Sequence, residues 1–203
     1  MSRITLDTKC RLCRAAGTKL YLKGTRCLSA KCPIEKKGAI PPGMHGIKRT
    51  KKPTDYGIQL RAKQKAKRIF GIQETQFKNY YLKAKNLKGL VGENLMSLVQ
   101  RRLDNIVYES GLALSRSHAK QIISHGHVLV NGKKMSVSSY NSKRGDLVTT
   151  TLTEFPRLDD KDFKAPEWLE LNKSQHTVSV ASLPGMVENK EIDVNLIIEY
   201  YSR

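Results

Sequence analysis

Four cysteines, all within the first 32 residues, constrain the fold of this 203-residue chain more than any other feature. Two residues separate Cys10 from Cys13, thirteen separate the two pairs, and four separate Cys27 from Cys32. Two closely spaced pairs of this kind supply four thiolates to a tetrahedral structural zinc site from two tight turns. Flanking lysines and arginines favour the thiolate form of the sulfurs. The sequence therefore predicts a basic metal module over residues 1–45 with Zn²⁺ on all four cysteines.

Other uses of four cysteines stay open at this point. Two disulfides fit the number, although an intracellular basic protein is in a reducing medium. A thioredoxin-like redox pair needs a strand–helix context and leaves the second pair without a role. Four thiolates can also hold an iron–sulfur cluster, the less favoured alternative to zinc. No histidine or carboxylate accompanies the thiols, and four thiolates leave no open coordination position on the metal. The metal is therefore expected to be structural, and its binding is expected to be part of the folding of this segment.

The positive charge is concentrated at the amino-terminal end. The chain carries 37 Lys and Arg against 18 Asp and Glu, a formal net charge of +19. The net charge is +16 over residues 1–70, +7 over 71–150 and −4 over 151–203. A one-signed field of this size predicts a polyanionic partner, whereas the acidic end is expected to face protein or water. No apolar run reaches the ~20 residues of a membrane span. Residues 1–14 lack a signal-peptide stretch, so we expect a cytoplasmic protein without a membrane partner.

Apolar periodicity predicts that helices precede a small antiparallel sheet, an α+β class of fold. Proline and glycine make residues 41–53 an extended basic linker. Helices are expected over 55–70, capped by Thr54 or Asp55 and ended by Gly71, then over 74–85, 93–111 and 116–126.

The second half of the chain changes to a period of two. Asn131-Gly132 between alternating apolar residues predicts a β-hairpin. Further strands are expected over 146–152, around 168–171 and over 176–183. The apolar segment 193–201 is expected to be buried against another element.

No catalytic constellation stands out. Gly126 and Gly132 enclose five residues where a P-loop has four, and Lys134 stands where a P-loop has Ser or Thr. The histidines at 118, 125 and 127 have no local carboxylate or nucleophile. We therefore expect a protein that is not an enzyme and that has no small-molecule substrate.

On charge alone DNA, RNA and an anionic membrane all remain possible partners, and the basic and polar side chains are the candidate contacts. In the metal module and linker they are Arg3, Lys9, Arg11, Arg14, Lys23, Arg26, Lys31, Lys36, Lys37, His45, Lys48, Arg49, Lys51 and Lys52. In the helix over 55–70 they are Arg61, Lys63, Lys65, Lys67 and Arg68. Between 101 and 134 one continuous outer face is predicted from Arg101, Arg102, Arg116, Ser117, Lys120, Gln121, His125, His127, Lys133 and Lys134. Its inner core is predicted from Leu103, Ile106, Val107, Ala119, Ile122, Ile123 and Val130. If the partner is RNA, whose A-form major groove is deep and narrow, such a face is expected to contact the RNA backbone and 2′-hydroxyls.

Several segments resemble, in the same order, the bacterial small-subunit ribosomal protein four family in its four-cysteine form. The matching segments are 10–14, 19–24, 26–27, 31–32, Pro41-Pro42-Gly43-Met44-His45-Gly46, 102–108, 115–132 and 198–203. The resemblance covers nearly the whole chain. Met186–Lys190 departs from it, because many members have an arginine followed by an acid there.

The resemblance implies both a domain organisation and a function. It implies a helical domain at 46–94, completed by 184–203, with an inserted α+β RNA-binding domain at 95–183 whose core motif spans about 99–160. Members are structural components of the small ribosomal subunit that bind 16S ribosomal RNA at a multi-helix junction of its 5′ domain and nucleate the subunit body. They lie beside ribosomal protein five and other small-subunit proteins, near the messenger RNA entry side, and their contacts with protein five are linked to decoding accuracy.

Two rival functions use similar features. A free RNA-modifying or RNA-repair protein can carry the same domain, but a pseudouridine synthase would need a catalytic Asp domain longer than this chain allows. A sequence-specific DNA regulator would need a dimer interface and a recognition helix in the major groove, and no heptad zipper is present.

Overall fold

The computed structural model describes residues 9–47, 52–152, 163–172, 175–185 and 192–203. The chain divides into two compact units, unit 1 with Met1–Tyr81 and Glu188–Arg203, and unit 2 with Leu82–Val187. The structure divides the chain into two units, whereas three domains are expected from the sequence. The three domain boundaries therefore stay a prediction. Helices and one antiparallel sheet occur together, which confirms the α+β class. Among the described residues, no helix is long and apolar enough to cross a membrane.

The amino-terminal part of unit 1 consists of short helices with few apolar side chains between them. Its elements are α1 (Lys9–Ala16), a 3-10 helix (Gly24–Cys27) and α2 (Pro33–Lys37). The buried apolar side chains of residues 9–47 are Leu20 and the thiols of Cys13, Cys27 and Cys32. Arg14 donates to the carbonyls of Ile40 (2.8 Å) and Pro41 (3.1 Å), and this bracing holds the proline segment against α1.

The remaining part of unit 1 is helical. Its elements are α3 (Asp55–Phe70), α4 (Glu74–Lys85), which continues into unit 2, and α8 (Val194–Ser202). Both ends of α3 follow from the sequence, because the Thr54 hydroxyl accepts from the Gly57 amide (3.2 Å) and Gly71 adopts the left-handed conformation that ends a helix. α8 packs on α3, and Ile197 is fully buried. The predictions for 55–70, 74–85 and the buried apolar terminus are confirmed.

Unit 2 begins with three helices where two were predicted. They are α5 (Val91–Gln100), α6 (Leu103–Glu109) and α7 (Arg116–Ser124). The expected single helix over 93–111 is wrong, because Arg102 is extended (ψ 138°) and forms an isolated bridge with Asn141. The amide of Leu103 then donates to the carbonyl of Tyr140 (2.8 Å) instead of to a helical carbonyl.

The sheet of unit 2 is antiparallel, with strand order β2-β1-β3-β5-β4. The strands are β1 (Val128–Val130), β2 (Lys133–Lys134), β3 (Leu147–Thr150), β4 (Leu169–Asn172) and β5 (Thr177–Val180). The Asn131-Gly132 hairpin is confirmed, although β2 ends before Val137, which is exposed. The core lies between the sheet and α6–α7, and it contains all seven residues predicted for it.

Candidate nucleic-acid interface and cysteine cluster

The four cysteines line one small cavity in unit 1. The cavity has a volume of about 20 Å³, and its wall also includes Lys23 and Arg26. That volume accepts one ion-sized or water-sized sphere. All four thiols are free, so the disulfide alternative is not present.

The donor set of this cavity fits a soft metal ion. Burial raises the pKa of the Cys13 thiol and the charges of the three other thiols add to this effect, so a bound cation would be needed to keep it as a thiolate. The amide of Lys23 donates to the Cys27 sulfur (3.3 Å), a backbone contact that stabilises a thiolate. As they stand, however, the described residues include no group of three or more His, Cys, Asp or Glu side chains that could hold a metal ion. The zinc prediction is therefore supported by the placement of the cysteines and is not confirmed.

Most predicted RNA contacts of unit 1 are on its surface. Exposed side chains are those of Arg11, Lys23, Arg26, Lys31, Lys36, Lys37, His45, Lys52 and Arg61. Lys9, Arg14, Lys65, Lys67 and Arg68 are half-buried. Arg3, Lys48, Arg49 and Lys51 lie outside the described residues, as does Met186–Lys190.

Lys63 differs from its neighbours because its ammonium group points into unit 1. Its side chain is 4% exposed, and it donates to Glu74 Oε1 (2.8 Å) while lying 4.1 Å from the centre of the Tyr200 ring. Lys67 and the Tyr201 hydroxyl also donate to Glu74, at 3.0 and 2.9 Å. Burial alone would raise the pKa of Glu74, but these hydrogen bonds hold it at about 2. The expected contact of Lys63 with RNA is corrected to a contact that attaches α3 to α4 and α8.

A second internal ion pair lies at the start of α6. Arg102 and Asp104 form a bidentate pair, with Nε–Oδ1 at 3.0 Å and Nη2–Oδ2 at 2.7 Å, and both side chains are almost fully buried. Lys120 on α7 lies 3.5 Å from the same carboxylate, and burial lowers its pKa although Asp104 opposes this. Arg102, which was expected on the outer face, is therefore corrected to an internal residue that positions α6.

Arg116 is held at the beginning of α7, where it connects this helix to α6. Its Nε donates to Asn105 Oδ1 (2.9 Å), an Nη donates to Glu109 (2.6 Å), and its guanidinium stacks on the Tyr108 ring at 4.3 Å. The Ser115 hydroxyl caps α7 by accepting from the His118 amide (3.2 Å). Ser117 and Gln121 are exposed on the same helix. The helix pair thus presents cations whose orientation is fixed before any ligand arrives.

The other residues of the predicted outer face lie near two ends of the short sheet. His125 and His127 precede β1, and the methylene stem of Lys134 packs beside Gly126. Arg101 and Lys133 lie toward the end where β1 finishes, because Arg101 contacts Ser142 and Lys133 pairs with Val130. The structure therefore places these residues around the three-residue strand β1, with Arg101 and Lys133 nearer the end where it finishes.

Two cationic side chains at this second end were absent from the sequence-based candidates. Lys143 and Arg144 are exposed in the turn before β3, and Arg144 Nε donates to the carbonyl of Ala181 (3.0 Å). The signal in the sequence was a Lys-Arg-Gly turn directly before a predicted strand. Only the tertiary contact with the residue after β5 shows where that turn lies.

Two family models match consecutive parts of the chain. Residues 6–100 match the ribosomal protein S4/S9 N-terminal domain, and residues 101–148 match the S4 domain. The second match begins at Arg101, the residue directly after the end of α5.

Curated relatives match over nearly the full length of the chain. The small ribosomal subunit protein uS4 of Natranaerobius thermophilus is 46% identical over 205 residues, with 96% of each chain covered. The protein of the same name from Desulfitobacterium hafniense is 46% identical with the same coverage, and that from Pelotomaculum thermopropionicum is 44% identical over 100% of both chains. Identity of this level over this length, together with the two domain matches, means that the chain belongs to the uS4 family of small ribosomal subunit proteins.

Proposed function

We propose that this chain is an RNA-binding structural component of the small ribosomal subunit in the cytoplasm. It binds 16S ribosomal RNA directly at a multi-helix junction of the 5′ domain and nucleates the subunit body. The observation that carries this proposal is the match to uS4 proteins over the whole of a chain with a net charge of +19. Membership of a family of structural ribosomal proteins also confirms the prediction that the chain is not an enzyme.

The geometry supports binding through the RNA backbone. Carboxylates of Asp104 and Glu109 fix Lys120 and Arg116 in position on α7, while Ser117 and Gln121 offer hydrogen bonds to phosphates or 2′-hydroxyls. On unit 1 the exposed lysines and arginines add sequence-independent attraction through counterion release. Lys63 and Arg102 are left out of the proposed interface because their charges are used internally.

The cysteine cavity supports a structural metal site. Cys10, Cys13, Cys27 and Cys32 would hold Zn²⁺, which would cross-link α1 to the turns that follow it. An iron–sulfur cluster is the alternative for the same thiolates. Metal analysis of anaerobically purified full-length protein is expected to find one zinc per chain. Iron with sulfide would replace zinc in the proposal, and protein without metal would overturn it.

We also propose protein partners for the acidic part of the chain. Residues 151–203 have a net charge of −4, and the exposed Glu167 and Glu170 lie at and beside edge strand β4. This part would face ribosomal protein five and other small-subunit proteins, near the messenger RNA entry side, and would contribute to decoding accuracy. Cross-links from β4 in intact subunits are expected to reach protein. Cross-links mainly to RNA would contradict this assignment.

Binding by the full chain to a 5′-domain transcript of 16S ribosomal RNA tests the proposed function. The expected result is tighter binding to the folded transcript than to unstructured RNA or duplex DNA of equal length, with an affinity that falls steeply as salt is raised. The protein should also stay with small subunits during high-salt sedimentation. Equal affinity for all three nucleic acids, or release from the subunits, would overturn the proposal.

A further inference from the structure

Three turns of unit 2 meet at the end of the sheet where β1 finishes and β3 begins. The Asn131 amide donates to the carbonyl of Leu147 (2.8 Å), and the Leu147 amide donates back to Asn131 Oδ1 (2.9 Å). Gly145 donates to the carbonyl of Val180 (2.9 Å), which connects the turn before β3 to the end of β5. These contacts fix the backbone of the turns.

Asp146 connects two of these turns through both oxygens of its carboxylate. Oδ1 accepts from the Asn131 amide nitrogen (2.9 Å), while Oδ2 accepts from the Lys143 backbone amide (2.7 Å) and the Tyr140 hydroxyl (3.3 Å). Burial would raise the pKa of Asp146, but these hydrogen bonds lower it. Uncharged donors inside the turn therefore take up most of the negative charge, and the positive charge of Lys143 adds a weaker attraction.

Four cationic side chains surround this junction, and we name them the turn-end cluster: Arg101, Lys133, Lys143 and Arg144. Arg101 Nε donates to the carbonyl of Ser142 (2.9 Å), and Arg144 Nε donates to the carbonyl of Ala181 (3.0 Å). Each contact orients a guanidinium through Nε, and its terminal nitrogens have no hydrogen-bond partner among the described residues. Within the part of the chain that the structure describes, none of the four pairs with a carboxylate inside 4.0 Å.

Four cations around the single carboxylate of Asp146 leave a net positive charge at this junction, which an external polyanion would neutralise. A pre-oriented guanidinium is suited to bidentate hydrogen bonding with phosphate oxygens, while flexible lysines add point charges. The turns are short and rigidly connected, so little conformational entropy is lost when the side chains bind.

We propose that the turn-end cluster is a phosphate-binding site for RNA, separate from the cations of the α6–α7 helix pair. This inference rests on the proposed RNA-binding function and adds to it a second contact point on unit 2. Lys143 and Arg144 are its main residues, because both are exposed and both belong to the turn that Asp146 holds. Two separated contacts of this kind let one small unit recognise the relative placement of two backbone segments in a folded RNA.

The test compares two full-length variants that each lose two positive charges from unit 2. K143A/R144A removes the main pair of the cluster, and K83A/K85A removes two exposed lysines of α4. The probe is the 5′-domain transcript of 16S ribosomal RNA at about 150 mM salt. K143A/R144A should weaken binding about 10-fold and lower the magnitude of the salt slope by about one to two, whereas K83A/K85A should change affinity by less than about 2-fold.

The outcomes separate this site from the proposed function. If the wild-type chain does not bind the transcript selectively, the proposed function itself fails. If it binds and the two variants lose affinity equally, the turn-end cluster supplies only general charge and the inference is overturned. Unchanged RNA binding with lost binding to a small-subunit protein would also overturn it, because the cluster would then be a protein contact. Thermal unfolding of both variants should match the wild type, since all four substituted side chains are exposed.

Discussion

Unit 2 and the amino-terminal part of unit 1 are stabilised by different means. Unit 2 contains a cluster of fifteen buried apolar residues from α6, α7, the loops beside them and before β4, and all its strands except β2. Over residues 9–47, by contrast, Leu20 is the one buried apolar side chain besides three cysteines. A segment rich in lysine and arginine has few apolar residues to bury, so we expect its folding to depend on the metal proposed for the four cysteines.

The α3–α4–α8 part of unit 1 lies between these extremes. It buries aromatic side chains, and Tyr81 stacks on Tyr201 with ring centres 4.8 Å apart. It also buries Lys63 against Glu74, which an apolar core would exclude. A basic helix is therefore tolerated in this region because the carboxylate and ring faces of neighbouring helices receive its charge.

The largest expected effect is on the cysteine cluster. Cys27→Ser should abolish metal binding and disorder residues 9–47, while unit 2 stays folded, because one oxygen cannot replace a buried thiolate ligand. Metal content and amide hydrogen exchange measure the two effects. Leu28→Ser is the matched control, since Leu28 is the exposed neighbour and its change should leave both unaffected. Unaltered exchange over residues 9–47 in Cys27→Ser would show that this region folds without a shared centre.

The next largest effect is expected when a substitution breaks the buried ion pair of unit 2. Asp104→Asn leaves Arg102 almost fully buried without its counter-charge, which should cost about 3–5 kcal/mol of unfolding free energy. The control is Glu109→Gln, which loosens the more exposed pair with Arg116 and should cost less than about 1 kcal/mol. Urea unfolding followed by Trp168 fluorescence measures both. Equal costs would mean that the Arg102–Asp104 pair stabilises no more than a surface contact.

A smaller loss is expected from the apolar core. Ile123→Ala should lower the unfolding free energy of unit 2 by about 2–4 kcal/mol, because Ile123 is fully buried and its removal leaves a cavity. Leu147→Ala, at a half-exposed strand position, should cost less than about 1 kcal/mol. Neither change should release metal from the cysteine cluster. Metal loss in Ile123→Ala would contradict the separate stabilisation of the two regions.

The sequence predicted local structure where the signals are local. Thr54 and Gly71 mark the two ends of α3, and Asn131-Gly132 marks the hairpin, because capping and turn preferences involve residues close in sequence. The prediction of one helix over 93–111 was wrong because a contact between residues distant in sequence determines the structure there. Arg102 leaves the helical conformation to pair with Asp104 and Asn141, and the second of these contacts joins distant parts of the chain.

The same difference between local signals and long-range contacts applies to the candidate site. Charge alone identified the basic surfaces, but it could not show which cations are used inside the fold. Lys63 is internal because Glu74, Tyr200 and Tyr201 come from two other helices. Lys143 and Arg144 were missed because their placement depends on contacts of their turn with Arg101 and Ala181.

The smallest expected effect is the pH dependence of unit 1, which Glu74 controls. Its pKa is about 2 in the folded state, below the ordinary 4.5, because hydrogen bonds from Lys63, Lys67 and Tyr201 outweigh the effect of burial. A carboxyl whose pKa is lowered by folding stabilises the fold above its unfolded pKa and loses that contribution as the pH falls. The stabilisation should therefore be complete above about pH 5 and should decrease from pH 4.5 toward pH 2.

Glu74→Gln isolates this contribution, because an amide oxygen still accepts from Tyr201 but no longer carries charge. The wild type should exceed the variant by about 1 kcal/mol at pH 6, a value reduced for solvent screening since the Glu74 side chain is 42% exposed. The cost is also smaller than for Asp104→Asn because the Lys63 ammonium keeps its contact with the face of the Tyr200 ring. Guanidinium unfolding of both proteins at pH 6 and pH 3 measures the difference, which should shrink at the lower pH. Glu167→Gln, at an exposed position of unit 2, removes one carboxylate away from this cluster and serves as the control. A wild-type advantage that stays constant between the two pH values would show that Glu74 acts through its shape and not through its charge.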